Sequence, residues 1–273
     1  MTKPLTLYHY TDAAGLIGIV HNRMLWATNL EHMNDSQEDK FGLAQVAAYL
    51  SSPQVRGTGA RQQALLDIAK QMRDGPGGTH RYAFCMSEEG DLLSQWRGYT
   101  PSGGYSIGLR MNAVQQAAVI NGLSLDRCLY TQHEQFAAIS ATVDPILSAV
   151  ASWDLSQPER SALRRRLSNA LLPVRSVIKH PSFAEEREWR LHGAISSRDK
   201  RCKWRPSGPY VRPFAEIQLP EQQADEKNED TVFSEVKISP GMDREKARLA
   251  VVHLFTGRDF PAPSISTSAA PLR

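Results

Sequence analysis

The chain has 273 residues, 41% of them hydrophobic and 22% charged, with a formal net charge of +3. This balance excludes a chain disordered along its length, and no stretch approaches the roughly 20 apolar residues that span a bilayer. With no basic segment leading into an apolar run at the start, a cytoplasmic location and no membrane partner are expected. Cys85, Cys128 and Cys202 lie far apart and form no CxxC pair, which speaks for reduced thiols and against a disulfide framework or a zinc site; no metal is expected.

Residues 5–10 read as a strand that ends in a polar turn, and Thr11-Asp12 caps a short helix with apolar positions at helical spacing. His9 therefore stands at a strand end, where a side chain titrating near neutrality suits ligand contact; the plain alternative is a histidine satisfied by local backbone. Met24 to Thr28 reads as a second strand, and Asn29 to Glu38 as a polar loop in which Asn34, Asp35 and Glu38 serve as turn and helix cap. Helical patterns follow at 39–50 and 60–73, separated by a Ser, Pro and Gly rich break and closed by the glycines after Asp74.

Arg81 to Ser87 is a compact β-type run. The next segment, Asp91 to Tyr99, sets Trp96, Arg97 and Tyr99 just ahead of the turn Thr100-Pro-Ser-Gly-Gly, which leads into a strand from Tyr105. An aromatic and an arginine beside a turn suit a planar ring and a phosphate, although Trp96 serves equally as a core anchor. From about 134 to 178 the pattern is helical, with Asp144-Pro145 read as a turn and Gln157-Pro158 as a helix start. Arg164 to Arg166 form the exposed face of that last helix, with Leu163 and Leu167 turned inward. Strands return at 188–193, 214–219 and 233–238, a final helix spans 242–254, and the tail 261–273 is expected to be disordered.

Along an extended strand Glu186 and Glu188 share a face, with Arg187 and Trp189 opposite. Two such carboxylates can divide labour, one stabilising positive charge and one accepting a proton; a solvated strand edge is the plain alternative. Arg198, Lys200, Arg201, Lys203 and Arg205 surround Trp204 in a basic run suited to DNA or RNA, or to a solvated loop. P-loop, GxGxxG and HExxH motifs are absent from the sequence. Strands flanking a helical block without βαβ alternation indicate an α+β fold, one domain over 1–260 with a helical insert at about 134–178.

Taken in order, Leu7-Tyr-His-Tyr-Thr, Leu30-Glu-His-Met-Asn-Asp-Ser-Gln-Glu, Phe84-Cys-Met-Ser-Glu, Gln95-Trp-Arg-Gly-Tyr with Gly104-Tyr-Ser-Ile-Gly, and Glu186-Arg-Glu-Trp-Arg-Leu resemble a bacterial family, domain of unknown function 2971, across about residues 5–240. That family is similar at a distance to the ADP-ribosyltransferase superfamily, which implies a split mixed β-sheet core and NAD as substrate. By this resemblance His9, with Tyr10 and Thr11 beside it, would hold the NAD ribose. Tyr99 or Tyr105 would stack on nicotinamide, with Trp96 and Arg97 nearby. Glu188 would stabilise the developing oxocarbenium-like centre, and Glu186 would orient or deprotonate the acceptor. The middle motif departs from the superfamily's Ser-Thr-Ser strand. The implied activity is transfer of ADP-ribose to a protein or nucleic-acid acceptor, as a toxin or defence effector. An NAD glycohydrolase and a non-catalytic module binding nucleic acid or a partner through the basic run are the alternatives.

Overall fold

A computed structural model describes residues 5–33, 38–55, 60–74, 81–221, 231–258 and 261–271. The strands are β1 (Thr6–Thr11), β2 (Met24–Asn29), β3 (Arg81–Ser87), β4 (Tyr105–Arg110), β5 (Ser124–Arg127), β6 (Glu188–Ala194), β7 (Cys202–Ser207), β8 (Tyr210–Gln218), β9 (Phe233–Ile238) and β10 (Ser264–Thr267). The helices are α1 (Ala13–Asn22), α2 (Glu38–Leu50), α3 (Ala60–Asp74), α4 (Leu93–Tyr99), α5 (Met111–Asn121), α6 (Gln132–Ala149), α7 (Gln157–Ala170), α8 (Leu172–Arg175) and α9 (Arg244–Thr256). The fold is thus mixed α and β, built on one ten-stranded sheet. Its order is β10-β9-β4-β1-β3-β2-β8-β7, with β6 and β5 branching from β3, and it is antiparallel except for the β9–β10 pair. Among the described residues no helix is long and apolar enough to cross a membrane.

The branch at β3 is the feature that shapes the site. On one edge β3 pairs with β6 along its whole length, from Arg81↔Ala194 to Ser87↔Glu188. On the other edge β2 takes Tyr82 and Ala83, while β1 meets β3 at Ser87. Residues 84–86 lie between these two pairings, so β1 and β2 part company there and the sheet opens into a split.

Two apolar cores flank this arrangement. The first lies between the sheet and helices α1, α5 and α9, and joins Leu7, Phe84, Ile107, Leu191 and Val236 to Leu16, Val20, Val114, Val251 and Phe255. Local chemistry fixes these helices. The Asp12 carboxylate accepts from the Gly15 amide at 2.7 Å to start α1, and Arg23 in the left-handed conformation (φ 53°) ends it. The second core is helical. Val46, Leu65, Ile68, Ile139, Val143, Leu163 and Leu167 tie α2 and α3 to α6 and α7. The helical block therefore recruits residues from 38 to 74 as well as the expected insert. Reciprocal capping boxes, Thr131 with Glu134 and Ser156 with Glu159, open α6 and α7, and Arg164–Arg166 are exposed as expected.

Three expectations need correction. Asp144-Pro145 is no turn, because Pro145 lies inside α6. The segment after Phe260, expected to be disordered, contains β10, whose end is fastened by Asp91 accepting from Ser268 Oγ at 2.5 Å and from the Ala269 amide at 2.8 Å. Half of the basic run forms edge strand β7, against a solvated loop. Residues 93–99, unassigned in the sequence pattern, form α4, as α5 and β5 fill the stretch after β4. Asn34 and Asp35 lie outside the described residues.

Candidate functional site

A small cleft opens at the split, lined by Tyr8, His9 and Tyr10 of β1, Cys85, Met86 and Ser87 of β3, Gln95 and Tyr99 of α4, and Glu186 and Glu188. His9 bridges the unpaired stretch of β3. Its Nδ1 lies 2.9 Å from the Cys85 carbonyl oxygen, and a carbonyl only accepts, so Nδ1 carries the hydrogen. The ring also packs on Phe84, with centroids 4.2 Å apart. Burial lowers the imidazole pKa to about 4, and the charge of Arg205 pushes the same way against the Cys85 hydrogen bond. The neutral ring with Nδ1–H leaves Nε2 as an acceptor.

Opposite His9 stands an ion cluster. Glu188 is buried, and both its oxygens are engaged: Oε1 accepts from Arg190 Nε at 2.6 Å and Oε2 from Lys179 Nζ. Burial opposes ionisation of Glu188, but Arg190 and Lys179 outweigh it and hold the carboxyl at about 2. Lys179 also donates to Glu186 Oε2 at 2.5 Å and lies 3.6 Å from Glu38 Oε1. Arg190 reaches Glu38 Oε2 at 2.7 Å and the Ser176 carbonyl at 2.8 Å. Three carboxylates thus face two cations, and the surplus negative charge falls on the cleft side. Glu186 bears it: burial, followed by repulsion from Glu188 and Glu38, raises its pKa although Lys179 opposes the shift. Among the described residues, no hydrogen bond occupies Glu186 Oε1. Glu188 is consequently a fixed anion, while Glu186 is suited to exchange a proton.

Local geometry explains this convergence. Pro181–Glu186, expected to be extended at Glu186, forms a 3-10 helix instead, Arg187 takes a left-handed conformation (φ 41°), and β6 begins at Glu188. The two glutamates meet through Lys179 rather than through simple strand alternation. In α4, Gln95 and Tyr99 are four residues apart and so share a helical face, the one that lines the cleft. Tyr99 remains 45% exposed there, and its hydroxyl is pushed to a higher pKa by burial and by the neighbouring Cys85, Glu188 and Glu186. Burial, then Glu188, raises the Cys85 thiol well above the ordinary range, which favours its protonated form. Among the described residues no group of three or more His, Cys, Asp or Glu is arranged to hold a metal ion.

The other sequence candidates lie elsewhere. Tyr10 lines the cleft, but its hydroxyl is spent structurally, donating to the Glu89 carbonyl at 2.8 Å and accepting from the Leu92 amide. Trp96 is a core anchor packed edge-on against Tyr10, with Nε1 donating to Asp91 at 2.7 Å. Thr11 and Tyr105 pair across β1–β4 outside the cleft lining, Tyr105 being in the core. Arg97 is exposed outside it. In the basic run, Arg201 pairs with Asp199 at 2.9 Å. Arg198, Lys200 and Lys203 have no cleft contact, while Arg205 packs over Trp26 and Phe214. Sequence reasoning gave no role to Gln95, Lys179, Arg190 or the charge of Glu38. Helical spacing from Tyr99 was the available signal for Gln95. For Lys179 it was a lone cation closing the apolar run Val177-Ile178.

The family model described as Protein of unknown function (DUF2971) matches residues 95–191, which bears out that resemblance over a narrower span than 5–240. The matched segment contains Gln95, Tyr99, Lys179, Glu186, Glu188 and Arg190. No curated protein and no solved structure matches the chain.

Proposed function

We propose that this chain, with the DUF2971 segment supplying one wall of its cleft, binds NAD at the sheet split and transfers ADP-ribose to a protein or nucleic-acid acceptor. One observation carries the reading: His9, Tyr99, Glu186 and Glu188, far apart in sequence, line a single cleft. The split of β1 from β2 along β3 supports it further, since it leaves residues 84–86 of β3 without a strand partner on the edge that faces His9.

Each residue has a defined part. His9 Nε2 accepts a hydrogen bond from a ribose hydroxyl, and the exposed ring of Tyr99 gives nicotinamide a stacking surface. As the glycosidic C–N bond breaks, nicotinamide leaves with the bonding electrons and positive charge develops on the ribose. The cluster with its surplus carboxylate is fixed in place before that charge appears. Glu186, with Oε1 available, takes the proton of the attacking acceptor.

The test is nicotinamide release from NAD by the purified chain, with and without a cell extract as acceptor source. Release that depends on extract, with label retained on macromolecules, is the expected result. Release into water alone identifies a glycohydrolase instead. Glu186→Gln is expected to slow release by roughly 100-fold or more. A parent chain that neither binds nor consumes NAD overturns the proposal.

A further inference from the structure

The β7–β8 hairpin closes one end of the sheet, with β7 as its edge strand. Directly opposed residues share a sheet face, as do alternate residues along a strand, so the pairs Lys203↔Phe214, Arg205↔Arg212 and Ser207↔Tyr210 put all six side chains on one face. Register across β8 adds Trp26 and Thr28 of β2, which stand opposite Glu216 and Phe214. Three cations and three aromatic rings are thus interleaved over adjoining rows, which follow one another at about 7 Å along the strands.

The cations of this face are not neutralised within the chain. Arg205 and Arg212 are like charges in direct opposition, which is destabilising, and burial followed by Arg212 lowers the pKa of Arg205, with Asp12 opposing the shift. Among the described residues no carboxylate lies within salt-bridge distance of Lys203, Arg205 or Arg212, whereas Arg201, just before β7, is paired with Asp199 at 2.9 Å. Glu216 shares the face but stands two rows from the arginine pair. The Arg205 guanidinium is nonetheless fixed, 5.6 Å from the Trp26 ring centroid and 5.7 Å from that of Phe214, and it donates to Thr28 Oγ1 at 3.2 Å. Tyr210, at the start of β8, is 75% exposed.

Addition of a partner's strand to the β7 edge is disfavoured, because Pro206 withholds an amide and Lys203 and Arg205 are charged. Aromatic rings interleaved with cations suit instead a ligand that carries a planar ring and a negative charge at every repeat. Bases stack on side chains when they are unpaired, which selects the single strand over the duplex. We infer that the face shared by β2, β8 and β7 docks a single-stranded nucleic acid, its bases stacked on Tyr210 and Trp26 and its phosphates met by Lys203, Arg205 and Arg212. An anion between the two arginines relieves their repulsion. Docking there does not depend on the NAD reading of the cleft.

Fluorescence anisotropy of a fluorescein-labelled oligothymidylate, titrated with the full chain at several salt concentrations, tests this, with a duplex of the same length for comparison. The parent is expected to prefer the single strand and to lose affinity as salt rises. Tyr210→Ala should weaken binding roughly tenfold. Arg212→Gln should weaken it too, and should make the slope of log affinity against log salt shallower by about 0.7, the share of one phosphate contact. It is preferred to Arg205→Gln, which also removes packing on Trp26 and Phe214. No binding by the parent, preference for the duplex, or an unchanged slope in Arg212→Gln overturns the inference. Binding that Tyr210→Ala leaves intact overturns it as well, since charge attraction alone then accounts for the affinity. Retention on phosphatidylserine vesicles without oligothymidylate binding does the same, in favour of a membrane surface. Nicotinamide release from NAD, measured in parallel, bears on the cleft alone, so either proposal can fail without the other.

Discussion

Glu188 holds the ion cluster together and, in the proposed reading, also lies beside the developing ribose cation, so substitutions there read out both at once. Glu188→Gln leaves Lys179 and Arg190 buried without their shared anion, which is expected to cost about 3–5 kcal/mol by urea denaturation. Lost activity in that variant alone says nothing about chemistry. Glu186→Gln separates the effects, since Lys179 keeps Glu188 as partner; stability within about 1 kcal/mol of the parent, together with lost nicotinamide release, is expected. His9 has its own pH signature. Its folded pKa of about 4 lies below the ordinary 6.5, so between those values the unfolded chain binds the proton and the folded chain does not. Stability therefore falls as pH drops from about 6.5 to 4, and His9→Gln should flatten that part of the urea midpoint curve. A parent curve with the same slope as the variant's would contradict the buried neutral ring. Glu188 acts in a lower window, its contribution being lost from about pH 4.5 down to about 2.

Among the elements, β10 and α4 share one fastening. Asp91 accepts from Trp96, Ser268 and Ala269, so Asp91→Asn weakens the α4 anchor and the tail together. A loss of about 1–3 kcal/mol and faster proteolysis after Phe260 are expected. Pro145 in α6 withholds an amide hydrogen from the helix interior, and Pro145→Ala is expected to stabilise the chain by about 1 kcal/mol or more, read as a raised melting temperature. These same elements show where local pattern ceases to inform. β1, β2, α1 and β3 were legible because strand alternation, the Asp12 cap and a compact apolar run are short-range signals. α4 has seven residues, no side-chain cap hydrogen bond and an internal Gly98, so nothing local announces it. β7 reads as a solvated run because Lys203, Arg205 and Pro206 are what an edge strand carries. β10 exists through its pairing with β9 and the Asp91 fastening, both contributed by distant residues.

Across the whole molecule, the ion cluster sits where the sheet meets the helical block. Glu38 comes from α2, Lys179 from the segment after α8, and Glu188 and Arg190 from β6. His9, Tyr99, Glu186 and Glu188 were identifiable from order along the chain, but the cations that fix the carboxylates were not, because their roles arise from tertiary pairing alone. Glu38→Gln is expected to loosen this joint, leaving the secondary structure intact while lowering urea stability by about 1–3 kcal/mol. Unchanged stability would show that the joint is held by the apolar contacts instead.

The branch at β3 also bears on when the cleft can first exist. The first pairings of β3, with β1 and β2, involve strands already made once residue 87 has been synthesised, but its full-length partner β6 ends at Ala194. A ribosome-bound chain that has not yet exposed that segment holds His9 and Tyr99 without Lys179, Glu186, Glu188 or Arg190. It has Glu38 but none of the cluster's other charges, and the cleft lacks Glu186 and Glu188 from its lining. The cluster's remaining charges, Lys179, Glu186, Glu188 and Arg190, arrive in one short stretch, so the NAD binding proposed above should switch on in nascent chains over a narrow range of lengths rather than accumulate gradually.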